Sequence, residues 1–134
     1  MAIASLVLWI LTASGGAYML TRWVRGGGHR ESTRSSLPPA VVFGHFVLAA
    51  VGLVLWIVYV VTDNHPIGWV GVALLAPVVI LGFVMVARWR SVRSRPAVDD
   101  APERSFPVPV VVGHGVLAVA TVVLALLALS EIGT

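Results

Sequence analysis

Two histidines, His45 and His114, are the side chains best placed to do chemistry, because each interrupts a long apolar stretch. An ionisable group in such a stretch is costly to keep in lipid, so it usually faces a bundle interior and often marks a functional centre. Each follows a glycine, Gly44 or Gly113, and each precedes an alanine one turn on, Ala49 or Ala118. Two imidazoles at matched positions can supply both axial ligands of one metal centre. The sequence has no cysteine, which excludes disulfides, thiolate metal sites, iron–sulfur clusters and thioether-linked haem. No serine–histidine–acid set, paired carboxylates or nucleophile motif is present, so no enzyme activity of its own is expected.

The two histidines belong to an internal repeat. The segment PPAVVFGHFVLAAVGLVL from Pro38 aligns with PVPVVVGHGVLAVATVVL from Pro107, with ten of eighteen positions identical. The preceding stretches align more weakly, GAYMLTRW from Gly16 over GFVMVARW from Gly82. There Gly16, Met19, Arg22 and Trp23 recur as Gly82, Met85, Arg88 and Trp89. The offsets are 66 and 69, so the second intervening loop is three residues longer.

The elements that must position these residues follow from composition. Of 134 residues 58% are hydrophobic and 11% charged, too apolar a mixture for a water-soluble surface. Four stretches reach the length of about 20 residues that a bilayer crossing requires: 3–24, 39–61, 67–87 and 108–129. Unpaired backbone is not tolerated in lipid and no period-two alternation is present, so the spans are helices. The expected fold is an all-α integral membrane protein, a four-helix transmembrane bundle. It consists of two tandem helical hairpins, halves about 1–65 and 66–134, forming one membrane domain. Each half has two spans, so the copies enter with the same orientation, related by a pseudo-twofold axis along the membrane normal.

All nine basic residues are arginines, and all lie in or beside the first and third loops. The N-terminal stretch, the TDNHPIG turn and the C-terminal EIGT have none. This asymmetry puts the arginine-rich loops in the cytoplasm and both termini outside, with Asp63 and Glu131, in a cell membrane. The first span has no basic segment ahead of it and is expected to be retained, although Ala13, Ser14 and Gly15 imitate a cleavage site. Trp23, Trp89 and Tyr59 near span ends are expected at the membrane interface, and Trp56, deeper, against lipid or a neighbouring helix. The basic residues border the apolar segments, which argues against a nucleic-acid partner. Asp99, Asp100 and Glu103 are expected to offset arginines in a solvated loop.

Depth then assembles a site. His45 and His114 each lie six residues into a span, roughly 9 Å below the cytoplasmic boundary. Gly16 and Gly82 fall near the same layer, as do Gly44 and Gly113. Such a layer suits a metalloporphyrin: two axial imidazoles, glycines where a flat macrocycle nears backbone, and arginines (Arg22, Arg88) at the edge for two propionates. Met19 and Met85 supply adaptable packing. In helix number, paired histidines on alternate helices, and glycines and arginines at that depth, the chain resembles the small four-helix membrane b-type cytochromes and haem-binding anchors of respiratory enzymes. It departs from the two-haem pattern, having one histidine on each ligand helix. The resemblance implies one haem b, electron transfer, and a quinone or redox partner protein, in a larger complex or a homo-oligomer.

Two other readings use the same residues. The histidines can be interhelical glue, with the glycines at sites of close packing. Alternatively, His45, His114, Met19 and Met85 form a two-imidazole, two-thioether set suited to Cu(I), although the methionines lie about one turn nearer the cytoplasm. His29 reads as part of a flexible glycine linker. Asp63 and His65 lie in a turn where they could meet a metal ion.

Overall fold

The computed structural model describes residues 1–31, 34–96 and 100–130; Asp99 and Glu131 lie outside them. Four helices form, α1 (Ala2–Arg25), α2 (Pro39–Thr62), α3 (His65–Arg93) and α4 (Val108–Ser130), with a short 3-10 turn at Pro102–Ser105. Each helix is long and apolar enough to cross a membrane, and no strand occurs among the described residues. The chain is a multi-pass membrane protein built as a helical bundle.

The ends of the helices are written locally. Pro39 opens α2, where a missing N–H costs nothing. Asp63 stops α2 in the left-handed region (φ 55), donating its N–H to the Tyr59 carbonyl. One residue later the Asn64 side chain accepts from the Ile67 N–H and starts α3. This turn forces α2 and α3 to run antiparallel as neighbours. At its other end α3 runs past the apolar span to Arg93, because nothing in ARWRSVR breaks a helix. The Arg104 guanidinium donates to the carbonyls of Val92 and Arg95, satisfying acceptors that the helix end leaves open.

Helices adjacent in sequence are not the ones most closely packed. α2 lies along α3, and α1 along α4, over long seams; α1 with α2 and α3 with α4 touch over shorter ones. Each hairpin is therefore open and closes on the other half. Corresponding positions meet at the two long seams. Ser5 Oγ donates to the Thr121 carbonyl at 3.3 Å between α1 and α4. The counterparts at the repeat offsets are Gly71 and Gly52, and there the backbones themselves approach: a Cβ on Gly71 would meet the Gly52 carbonyl oxygen at 3.3 Å. One seam closes by a hydroxyl bond and the other by absent side chains, both standard ways to bring helices together in lipid.

Two buried clusters fill the bundle. Away from the arginines, Trp9, Trp56, Tyr59, Leu75 and Leu129 pack together. At the arginine end the cluster is Trp23, Leu37, Val42, Trp89 and Phe106, with Met19 and Met85 against it. The tryptophans correct a sequence expectation. Trp23 is 1% exposed and Trp89 8%, while Tyr59 is also buried, so none presents its ring to the interface. The loops fold back over the helix ends and cover them, and Trp23 Nε1 donates to Ser35 Oγ at 2.9 Å. Trp56 packs inside the protein against Trp9, with Nε1 donating to the Ala2 carbonyl.

The loop cover has its own latch. Glu103, expected in solvent, is fully buried. Its carboxylate accepts from Ser35 Oγ, from the Ser36 N–H at 2.6 Å and from Ser36 Oγ. This joins the two arginine-rich loops. Asp100 stays outside and pairs with Arg34 at 3.8 Å.

Candidate functional site

Between the two clusters lies the histidine layer. His45 on α2 and His114 on α4 belong to diagonal helices, yet their ring centres are 6.2 Å apart. Each ring is held by the half to which it does not belong. His45 Nδ1 lies 2.9 Å from the Val78 carbonyl oxygen on α3, and His114 Nδ1 lies 2.8 Å from that of Thr12 on α1. Thr12 and Val78 are counterparts at the offset of 66, so the two contacts are the same contact made twice.

The reason lies one turn further on. A helical side chain leans back over the preceding turn, and a side chain at position 16 or 82 would cover the carbonyl at 12 or 78. Glycine leaves that carbonyl bare, and the imidazole enters the gap. A Cβ on Gly16 would stand 3.0 Å from His114 Cε1, and one on Gly82 would stand 3.4 Å from His45 Cε1. The glycines expected to admit a macrocycle are thus seats for the imidazoles. Gly44 and Gly113 differ: a Cβ on Gly44 would meet only Leu81, at 3.7 Å, and one on Gly113 would meet nothing within 4 Å.

The hydrogen bonds also fix the chemistry of each ring. A carbonyl can only accept, so Nδ1 carries the proton and Nε2 of the neutral imidazole keeps its lone pair. That is the form a metal-ligating histidine takes when a backbone acceptor orients it. A metal–nitrogen bond of about 2 Å on either side of one ion, plus the ring radii, gives imidazole centres about 6 Å apart. In donor type and in the 6.2 Å between ring centres the pair is compatible with two ligands of one metal centre.

The other expected residues fall around this layer rather than on it. Met19 and Met85 pack against the tryptophan cluster at the arginine end. Arg22 donates to Tyr18 Oη at 3.0 Å, and Arg88 to the Ser36 carbonyl at 2.9 Å. His29 lies near the Trp23 ring in the first loop. At the opposite end His65 Nε2 is 3.7 Å from Asp63 Oδ1, with the Tyr59 ring alongside. No group of three or more histidine or acidic side chains converges among the described residues. Sequence reasoning missed the carbonyls of Thr12 and Val78, although the signal was there: a glycine four residues after each, in both copies.

No family model, curated protein or solved structure matches this chain, so the functional reading rests on the geometry of the histidine layer.

Proposed function

We propose that this protein is a membrane b-type cytochrome that holds one haem between His45 and His114. The observation that carries the reading is the meeting of two oriented imidazoles, 6.2 Å apart, inside a bundle of membrane-spanning helices. Packing alone needs each imidazole on its carbonyl; it does not need two imidazoles from diagonal helices to lie 6.2 Å apart. The seam between the α1/α4 pair and the α2/α3 pair carries the shorter helix contacts, and one histidine approaches it from each pair. Haem b held there would supply one-electron transfer, for a redox enzyme of which this chain is a subunit, with a quinone or protein as partner. The chain's own part is to fix both tautomers through Thr12 and Val78 and to exclude water with its two aromatic clusters. The arginine-rich end faces the cytoplasm in this reading, in a plasma membrane.

The test is the visible spectrum of protein expressed with ample haem and purified in detergent. Reduced protein should show sharp b-type α and β bands that carbon monoxide perturbs little, since both axial positions are filled. His45→Ala and His114→Ala should each abolish the bands or leave a five-coordinate form, whereas His29→Ala and His65→Ala should not change them.

A second reading keeps the histidines as interhelical fasteners without a cofactor, and the two Nδ1–carbonyl bonds favour it. Each such bond is worth about 0.6 to 2 kcal/mol in a membrane. Protein that folds but stays colourless would overturn the first reading. Copper analysis of the same sample would separate the second from a Cu(I) site.

A further inference from the structure

We infer that the outer face of α1 is a seat for one anionic phospholipid, its phosphate held by Arg22 and Arg25. Positions Val7, Leu11, Ser14, Tyr18, Arg22 and Arg25 follow one another at spacings of three and four and so form a single stripe along the helix. Every one of them is exposed, Val7 and Leu11 at 51% and Tyr18 at 44%. The Ser14 hydroxyl is spent on the Ile10 carbonyl of its own helix, so the stripe is effectively apolar up to Tyr18. It then ends on a phenol and two guanidinium groups. An acyl chain along the stripe and a phosphate at its head match this order, which a soluble phosphate would not need.

Charge supports the same occupant. Arg22 and Arg25 stand three residues apart on one face, where like charges repel unless an anion lies between them. Among the described residues no carboxylate lies within ion-pair distance of Arg22 or Arg25: Glu103 is buried under the loops and Asp100 pairs with Arg34. Arg22 lies over the Tyr18 ring, its guanidinium carbon 5.6 Å from the centroid, which fixes it on the lipid-facing side. The corresponding stripe on α3 lacks the seat. Ser91 stands where Arg25 would, and Arg88 is turned to the Ser36 carbonyl. The seat thus has no counterpart on the equivalent stripe of α3, and it does not depend on the haem reading.

The test uses the full chain in detergent, titrated with phosphatidylglycerol or phosphatidylcholine, with bound lipid counted by native mass spectrometry. Two juxtamembrane arginines at roughly fivefold each give an expected preference of about twenty-five-fold for phosphatidylglycerol. The double variant Arg22→Gln, Arg25→Gln should lose the preference, while Arg90→Gln, Arg93→Gln, with the same loss of charge, should retain it. Arg22→Lys, Arg25→Lys keeps the charge and should keep most of the binding, which separates a lost seat from a lost fold. Equal loss in both Gln doubles, no preference in the parent protein, or displacement of the lipid by millimolar inorganic phosphate would each overturn the proposal.

Discussion

At the scale of single residues, Gly16 and Gly82 act through what they leave bare, and their surroundings are unequal enough to measure. A methyl on Gly16 would press on His114 Cε1 at 3.0 Å, closer than carbon atoms normally rest, so the ring must shift and strain its 2.8 Å bond to Thr12. At Gly82 the same methyl meets His45 at 3.4 Å, near ordinary contact. Gly16→Ala should therefore cost about 1–2 kcal/mol of stability in mixed micelles, as overpacking does. Gly82→Ala should cost less than about 1 kcal/mol, since alanine's helix propensity offsets part of the strain. Nitrogen NMR of the imidazoles provides the direct check, because the His114 Nδ1 proton should exchange faster in Gly16→Ala alone. An unchanged His114 proton in that variant would mean that the glycine does not set the ring. The alignment of the two halves made these glycines visible in the sequence. It did not say that each serves the histidine of the opposite half, because an offset pairs equivalent residues and is silent about which copy touches which.

The elements were legible to different degrees for a physical reason. Runs of about 20 apolar residues can be little other than membrane helices, so four spans followed directly from composition. The loop cover over the arginine end was not legible, since PERS among arginines and aspartates reads as solvated chain. What makes Glu103 different is that Ser35 and Ser36, 67 residues and more away, bring three donors to it. The misplacement of Trp23 and Trp89 at the interface has the same origin: span ends were visible but the loop that buries them was not. Glu103→Ala would strand buried donors at a cost of about 1–3 kcal/mol for each one left unsatisfied. We expect faster hydrogen exchange at Ser35–Leu37 and Ala101–Phe106, with the middle turns of α1 to α4 unchanged. Protection that persists in the loops, or is lost through all four helices, would show that the carboxylate is not a local latch.

At the scale of the whole molecule, the chain is two open hairpins that complete each other, and its charge is as polarised as its packing is symmetric. Nine arginines and four of the six acidic residues lie in or beside the first and third loops, a formal excess of five positive charges, while the opposite turn at Asp63 and Asn64 has no basic residue. Moving an arginine-rich loop across a bilayer is disfavoured, and the bias counts most in short loops close to the spans. Both long loops meet that condition, so a single orientation is expected, with the arginine end in the cytoplasm. The sequence has no cysteine to confuse a labelling experiment, and the structure selects the sites. Arg30 and Asn64 are exposed, and the Asp100 side chain is 87% exposed, whereas Ala101 beside it is buried and would give a false negative. Cysteine at Asn64 should react with an impermeant maleimide in intact cells. Cysteines at Arg30 and Asp100 should react only after the membrane is opened. If Arg30 or Asp100 labels from outside, the orientation is reversed or mixed, and the histidine layer then lies nearer the outer surface. An electron partner would in that case have to be sought on the other side of the membrane.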